Sequence, residues 1–443
     1  MIRSLRAYIV IDLGFGDAGK GLITDFLVRQ TQAGVVVRYN GGAQAGHNVV
    51  TPEGVHHTFS QFGSGSFVPG VKTYLSKHMV IHPGALLVEG DVLTQKGVND
   101  IFSRIKIDPQ ALLITPYHQA ANRIKELARE SRRHGSCGVG VGETVVDSLK
   151  GHEDCIRAGD LLTPNLLLQK MDSIRVRKHK ELLDALGHDL SSLPTISEWQ
   201  VFQQNDLALR WMNSIHRIIE NDLVDLTDSL SKWSKDTESI VFEGAQGVLL
   251  DARAGFFPYN SWTDTKPDKA IELVHGCPPV SEIIKVGVSR CYAVRHGPGP
   301  LPTETHELDG VVSDHNQYND WQGGVRYGWS DQVLFKYALN AVNGVDLLAL
   351  THLDVLNQLL EWKVCKQYPI NLETGLESYQ SLPLDQKEAF THQLMTVDPF
   401  LESHESNDTR IIEVVAQTAK IPVSLAAHGP KTQDVTIIES NAL

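Results

Sequence analysis

The chain has 443 residues, of which 42% are hydrophobic and 21% are charged, as is typical of a folded globular protein. It carries 53 acidic and 40 basic residues, and the resulting net charge of −13 argues against broad nucleic-acid binding through a basic surface. Five cysteines are scattered without the C-x-x-C pairing of a zinc site, so we expect a reduced, cytoplasmic setting. The short apolar run near the N-terminus enters a glycine-rich stretch directly, so neither a signal peptide nor a membrane span is expected.

The first predicted elements are a strand at 8–13, a glycine-rich turn at 14–21 and a helix that includes 22–28. Glycines let backbone N–H groups crowd around an anion, and the helix that follows points its positive N-terminus at it. The spacing fits G-x-x-x-x-G-K, but Gly21 stands where a Walker loop has the Ser or Thr that holds Mg²⁺, and Asp17 lies inside the turn. We therefore expect a loop that combines phosphate binding with acid–base or metal chemistry.

Short apolar runs alternate with longer helical stretches along the rest of the chain. The sequence predicts strands at 35–37, 111–114, 239–242, 282–288 and 347–350, and helices at 115–131, 207–231, 331–343 and 408–418. Thr115 is predicted to cap the first of these helices, with Pro116 at its first position. The alternation indicates an α/β fold with a large, mostly parallel sheet and helices on both faces. No linker separates two halves, so we expect a single large domain over 1–443.

Several other segments have the composition of binding elements. Residues near 132–150 begin with too many glycines for a core element and are predicted to form a mobile loop. The 41–48 segment carries His47 in a backbone that permits close approach. Gln246 follows a predicted strand and offers an amide to a ligand edge. Asp354, after another strand, can accept two hydrogen bonds from guanine.

In this order, the segments resemble the adenylosuccinate synthetase family. The family's pattern runs W-G-D-E-G-K-G, G-G-x-N-A-G-H, F-E-G-A-Q-G-x-L-L-D, G-P-F-P-T-E, T-K-L-D and S-x-G-P. Its counterparts here are 15–21, 41–47, 242–251, 299–304, 351–354 and 427–430. Because six motifs match in order, the resemblance covers nearly the whole chain.

The resemblance implies a P-loop-like GTP-binding architecture and a GTP-dependent ligase. In the family, GTP phosphorylates the 6-oxo group of IMP, and the amine of L-aspartate then displaces phosphate to form a C–N bond. The resemblance makes Asp17 the base that removes the ring N1 proton, His47 the acid near the transferred phosphoryl group and Lys20 a catalytic cation at the phosphates. Acid–base assistance of this kind is worth about 10²–10⁴-fold. Taken alone, Asp17 also fits a turn former and His47 a structural histidine, but their positions on two glycine-rich loops favour catalysis.

The resemblance also implies the ligands and their residues. The residues implied for GTP are Gly16, Gly19, Lys20, Gly21, Gly46, His47, Asp354, Gly429 and Pro430. Those implied for the other substrates are Gln44, Ser136, Cys137, Gln246, Ser261, Arg295 and Arg326. Mg²⁺ would be bound by Asp17 and Gly46. The cofactor is then Mg²⁺, GTP is a co-substrate, and the other partners are a small-molecule nucleotide and an amino acid. We expect a homodimer with neither a nucleic-acid nor a membrane partner.

The substrate side departs from the family. Its aspartate loop, G-A-T-T-G-R-R-R-R-T-G-W, matches 318–329, within a substrate loop near 316–329, and the four arginines are reduced to Arg326. Cys137 replaces a threonine at the substrate phosphate, and Val139 replaces an arginine. Arginine forks suit carboxylates, and each lost charged contact costs about a hundredfold or more in affinity. The acceptor or the amine donor is therefore expected to differ, unless Arg326 alone holds the donor carboxylate.

Two other classes of function remain open from the sequence. One is a GTP-binding regulator that has lost ligase activity, and the other is an inactive assembly partner. A regulator needs neither Asp17 nor His47, and an assembly partner does not need the phosphate-binding turn at 14–21. The ligase is therefore favoured. The choice of GTP over ATP is also open, because His352 replaces the family's lysine near Asp354.

Overall fold

A nine-stranded sheet lies at the centre of the part of the chain that this computed structural model describes, residues 5–129, 135–186, 197–311, 321 and 323–439. The strands, numbered along the chain, are β1 (Leu5–Asp12), β2 (Val35–Arg38), β3 (His47–Val50), β4 (His56–Phe59), β5 (Lys72–Leu75), β6 (Val80–Ile81), β7 (Ile105–Ile107), β8 (Leu112–Leu113), β9 (Ser239–Glu243), β10 (Val280–Arg290), β11 (Ala293–His296), β12 (Val325–Gly328), β13 (Ser330–Asp331), β14 (Leu347–Thr351), β15 (Glu361–Gln367), β16 (Phe400–Glu405), β17 (Leu425–Ala427) and β18 (Val435–Ile437). The sheet order is β18-β17-β14-β10-β1-β9-β2-β5-β7, and only the β17–β18 pair is antiparallel.

Helices cover both faces of this sheet. They are α1 (Lys20–Thr31), α2 (Pro83–Gln95), α3 (Pro116–Ala128), α4 (Val141–Leu149), α5 (Pro164–Leu186), α6 (Ser197–Phe202), α7 (Leu207–Ser214), α8 (Arg217–Glu220), α9 (Ser229–Lys235), α10 (Asp268–Val274), α11 (Gln332–Ala341), α12 (Ile370–Ser378), α13 (Leu384–Met395) and α14 (Asp408–Ala419). Alternate side chains of β1 belong to two different apolar clusters, one shared with α1 and the other with α11. The predicted α/β class, with a mostly parallel sheet and helices on both faces, is confirmed.

Most predicted elements are present near their predicted positions. Each of the six predicted strands overlaps a strand, and the helices predicted at 22–28, 115–131, 331–343 and 408–418 overlap α1, α3, α11 and α14. Thr115 caps α3 as predicted, since its hydroxyl accepts a hydrogen bond from the backbone N–H of His118 at 3.3 Å. Within the described residues, no helix is both long enough and apolar enough to cross a membrane.

The single helix predicted at 207–231 is wrong, because the segment forms α7, α8 and α9 instead. Asp222 and Asp228 have φ angles of 51° and 56°, and this left-handed backbone ends a right-handed helix. Between them, Val224 forms a parallel bridge with Ile107, at the end of β7. A tertiary contact therefore overrides the helical spacing of the sequence.

The two predicted loops are shorter than expected where the structure describes them. The glycine-rich segment becomes helix α4 at Val141, because Val141 and Val145 pack against Val80 and Ile114. The end of the substrate loop forms β12, which pairs with β11. Residues 130–134, 312–320 and 322 lie outside the described residues.

The parallel strands bring their carboxyl ends to one edge of the sheet, which is where ligands bind in folds of this kind. The glycine-rich turn follows β1, and the segments with Gln246, Asp354 and Gly429 follow β9, β14 and β17. All four strands, β1, β9, β14 and β17, belong to the central sheet. Residues far apart in the chain are therefore gathered at this edge.

Candidate active site

The glycine-rich turn is folded around the buried side chain of Asp12, the last residue of β1. Its Oδ1 accepts hydrogen bonds from the N–H groups of Gly14 at 2.9 Å and Gly16 at 3.3 Å. Its Oδ2 accepts from the N–H of Ala18 at 2.9 Å and from the Lys20 ammonium at 2.8 Å. Sequence analysis missed Asp12, although a charged residue that ends an apolar strand was a signal for it. Lys20 is only 4% exposed and is held at the turn by this pair.

Gly21 lets the turn approach the segment that carries His47. A Cβ at position 21 would lie 2.8 Å from the carbonyl oxygen of Asn48 and 3.0 Å from the Cβ of His47. A serine or threonine therefore does not fit there, which explains the missing Walker hydroxyl. Gly16 and Gly19 have φ angles of 99° and 91°, which side chains rarely adopt.

Asp17 is held at both its backbone and its side chain. Its φ is 57°, and its carbonyl accepts a hydrogen bond from Arg290 Nε. Its Oδ2 lies 2.5 Å from Nε2 of His296. Burial alone would raise the pKa of Asp17, but the hydrogen bond and charge of His296 and the charges of Arg290 and Lys20 hold it well below its usual range. Asp17 is therefore an ionised carboxylate.

His47 has one ring nitrogen fixed by a carboxylate. Its Nδ1 lies 2.6 Å from Oε1 of Glu243, to which it donates, and its side chain is 5% exposed. Its Nε2 has no hydrogen-bond partner among the described residues. Burial lowers the pKa of His47, while Glu243 opposes that shift. A histidine with one oriented nitrogen is suited to assist chemistry at the other.

Glu243, at the end of β9, organises this part of the site. Besides His47, it accepts hydrogen bonds from the Ser64 hydroxyl and from the Ser64 N–H, the latter at 2.9 Å. The Arg38 guanidinium lies 4.0 Å away, and both side chains are fully buried. Burial would raise the pKa of Glu243, but Arg38 and His47 lower it. The F-E-G-A-Q motif contained this residue, but sequence analysis gave it no role.

Two predicted substrate residues are linked by hydrogen bonds. Thr263 donates from its hydroxyl to Oε1 of Gln246 at 2.9 Å, and the hydroxyls of Ser261 and Thr263 lie 2.8 Å apart. Gln246 has a φ of 63°, in the left-handed region. The Oε1 atom of Gln44, another predicted substrate residue, is buried without a hydrogen-bond partner among the described residues.

Arg295 and Arg326 lie opposite each other on β11 and β12 and hold the 297–300 turn. Arg295 is 2% exposed and donates to the carbonyls of Pro298, Pro300 and Tyr259. Burial and the charge of Arg326 lower the pKa of Arg295 to about 9.

Arg326 donates to the carbonyls of Gly297 and Gly299, and to Glu304 at 2.5 Å. Both guanidinium groups thus contact the protein in this conformation, rather than being left open for a substrate. Arg157, another basic residue, donates to the carbonyl of Gln110.

Helix α3 supports the second glycine-rich loop. The Asn122 amide donates to the Ser136 hydroxyl at 2.9 Å and accepts from the Gly140 N–H at 3.2 Å. Arg123 Nε donates to the Gly138 carbonyl at 2.9 Å. Cys137, between these anchors, is half-buried, and burial raises the pKa of its thiol.

The predicted base-binding residues lie beside the end of β14. His352 has a φ of 61°, and its Nδ1 lies 2.8 Å from the Thr351 hydroxyl. Burial and the charge of Arg290 hold the pKa of His352 well below its usual range. Asp354 lies in the following turn of 3₁₀ helix, 353–358. Gly429 and Pro430 follow the neighbouring strand β17, and a Cβ at Gly429 would lie 2.5 Å from Oδ2 of Asp434.

Comparisons with known proteins agree on one family. The family model for adenylosuccinate synthetase matches residues 9–436. The chain is 31% identical to the adenylosuccinate synthetase of the Paulinella chromatophora chromatophore and to that of Prochlorococcus marinus strain AS9601, in each case over 97% of this chain and 96% of the relative.

Two solved structures share the fold. The fully ligated adenylosuccinate synthetase of Plasmodium falciparum is 21% identical and has a TM-score of 0.75, over 98% of this chain and 99% of that one. The cyanophage S-2L succinoaminodeoxyadenylate synthetase, bound to dGMP and to dATP as an energy donor, is 16% identical. Its TM-score is 0.61, over 99% of this chain and 97% of that one.

Removing the charge of Glu243 is expected to lower the stability of the protein strongly, because Glu243 is buried with charged partners. Replacing Glu243 with Gln leaves the buried Arg38 charge uncompensated, so we expect the free energy of unfolding to fall by about 3 kcal/mol or more. Urea unfolding followed by circular dichroism measures this value. The matched control is Asp91→Asn, which breaks the exposed pair with Arg217 and should cost less than about 1 kcal/mol. Equal losses in the two variants would contradict the role given to Glu243.

Proposed function

Because the chain belongs to the adenylosuccinate synthetase family, a family of GTP-dependent ligases, we propose that it phosphorylates the 6-oxo group of a purine nucleotide with GTP and then forms a C–N bond with an amino-acid amine. The observation that carries this proposal is the close approach of the two loops that bear Asp17 and His47. Gly21 permits that approach, and each of the two side chains has a partner that orients it. A regulator without chemistry would need neither arrangement.

The proposed reaction has two steps. In the first, Asp17 takes the N1 proton of the purine, and the 6-oxo oxygen attacks the γ-phosphorus of GTP while the bond to the β-phosphate oxygen breaks and GDP leaves. In the second, the amine nitrogen attacks C6 and forms the C–N bond. The C6–O bond then breaks, inorganic phosphate leaves with the oxygen and the electron pair of that bond, and the amine loses a proton. His47, turned toward the transferred group by Glu243, would stabilise the charge that develops there. Lys20 supplies a fixed cation at the turn.

The residues assigned to Mg²⁺ fit that ion. The carboxylate of Asp17 is ionised, and Gly46 is an exposed residue. Carboxylate and carbonyl oxygens are the ligands that Mg²⁺ prefers. A bound ion would supply neutralisation of the phosphate charge.

We further propose that the acceptor nucleotide, the amine donor or both differ from IMP and aspartate. Arg295 and Arg326 were assigned to substrates, yet both donate to backbone carbonyls of the 297–300 turn. Among the described residues, both assigned arginines therefore have partners within the protein, and Val139 carries no charge where the family has an arginine. The structure of the phage enzyme with dGMP and dATP supports the proposal, because it shows this fold with other nucleotides. The Gln246–Thr263–Ser261 chain still suits a phosphorylated acceptor.

The proposal also includes a homodimer and a cytoplasmic setting. The homodimer is carried over from the family resemblance. The cytoplasmic setting is supported by the five cysteines, none of which forms a disulfide.

The proposed activity is tested by mixing the protein with GTP, Mg²⁺ and a panel of oxo-purine nucleotides, each paired with a range of amino acids. We expect phosphate release and a new C–N product with at least one pair, and an IMP–aspartate rate at least about tenfold below the best pair, as for about 1.4 kcal/mol of lost binding. Phosphate release and mass spectrometry of the product measure both. The absence of product with every pair would contradict the ligase, and IMP–aspartate as the best pair would contradict only the changed substrates.

The role of Asp17 is tested by Asp17→Asn, which keeps the size of the side chain but removes the charge that accepts the proton. We expect turnover to fall by about 10²-fold or more, while GTP affinity weakens only a few-fold. Steady-state kinetics and calorimetry separate the two effects. Asp309→Asn, at an exposed position, is the matched control. Near-normal turnover of Asp17→Asn would contradict the mechanism.

The role of Asp354 is tested through the choice of nucleotide. Guanine offers two donors to a carboxylate and adenine does not, so Asp354→Asn should reduce the preference for GTP over ATP by about 1–3 kcal/mol. The ratio of kcat/KM for GTP to kcat/KM for ATP measures that preference. Asp385→Asn, in the exposed first turn of α13, should leave the ratio unchanged. Equal use of ATP by the unaltered protein would show that Asp354 does not select guanine.

A further inference from the structure

We propose that His296 is a positioning residue that orients the Asp17 carboxylate for proton abstraction, an inference that rests on the proposed function. His296 is not among the predicted site residues, because the matched motif begins at Gly299. It lies 279 residues from Asp17 along the chain, and only the fold brings the two together.

One short stretch of chain holds Asp17 at two points. Arg290, at the end of β10, donates from Nε to the Asp17 carbonyl. His296, at the end of β11, places Nε2 2.5 Å from Oδ2 of the same residue. The two side chains thus fix the backbone and the carboxylate of Asp17 separately.

The carboxylate needs such a partner because it extends from a turn. Asp17 has a left-handed backbone with a φ of 57°, and rotation about its side-chain bonds would move the oxygen that takes the proton. Holding Oδ2 fixes the plane of the carboxylate and with it the direction of Oδ1. Lys20 is less suited to this task, since its ammonium is bound to Asp12 at 2.8 Å. Proton transfer depends on this geometry, and a 1 Å misplacement costs about 10²-fold in rate.

The β11–β12 hairpin holds His296 itself in place. His296 pairs with Val325 in the antiparallel register, and the N–H of Gly297 donates to the Gly324 carbonyl at 3.1 Å. Arg326 Nε donates to the Gly297 carbonyl at 3.0 Å. The turn that follows His296 therefore fixes the backbone from which the imidazole reaches Asp17.

The first experiment compares three variants of His296 in the full chain. His296→Ala and His296→Leu remove the N–H donor, whereas His296→Gln keeps a donor on a side chain of similar length. We expect kcat to fall by about tenfold to a hundredfold in the first two. The KM and Kd for GTP should stay within about threefold, and His296→Gln should recover most of the lost kcat.

His306→Ala is the matched control, because His306 forms a similar pair with Asp309, 2.8 Å long, on the exposed surface. It should leave kcat unchanged. A purely structural role for His296 would instead lower the melting temperature and give similar losses in all three variants. Measuring the melting temperature of each variant separates these two explanations.

The second experiment is a double-mutant cycle with Asp17→Asn. If His296 acts through Asp17, then adding His296→Leu to Asp17→Asn should lower kcat by less than about twofold further. A full additional loss would overturn the proposal. So would an unchanged kcat in both His296→Ala and His296→Leu, or equal losses in His296→Leu and His296→Gln.

Failure of this proposal is distinct from failure of the proposed function. If the unaltered protein forms a product and the His296 variants match it, then only the positioning role is wrong. If the unaltered protein forms no product with any pair, then the ligase is wrong and the positioning role falls with it.

Discussion

The glycine-rich turn at 14–21 depends on one buried carboxylate. Asp12 lies at the end of the central strand, 2% exposed, and accepts hydrogen bonds from three backbone N–H groups and one ammonium. A buried charge without such partners would cost several kcal/mol, and here it is both paired and hydrogen-bonded. The turn and Lys20 are thus preorganised by the strand that precedes them.

The site divides into two halves with different kinds of support. In the half proposed for phosphoryl transfer, each functional side chain has a polar partner, with Glu243 beside His47 and His296 beside Asp17. In the half proposed for the substrates, Arg326, the one arginine left in the matched aspartate loop, holds a turn, and Thr263 links Gln246 to Ser261. The family resemblance therefore defines the reaction type more closely than it defines the substrates.

The sequence predicted the elements whose signals are local. Neighbouring residues alone determine the turn at 14–21, the strand before it and the cap at Thr115. The family resemblance is confirmed by a match over 9–436. Residues that act through distant partners were missed. Glu243 meets His47 across 196 residues, and no local pattern marks that contact. The prediction at 207–231 failed for the same reason, since a bridge to β7 interrupts the helical pattern.

The contact between Gly21 and Asn48 limits how this turn can change. A Cβ at position 21 would lie 2.8 Å from the backbone carbonyl oxygen of Asn48, which no side-chain substitution can remove. Conversion to an ordinary Walker loop would require the whole β3 segment to move, and His47 would move with it. Single replacements therefore do not convert this turn into a Walker loop.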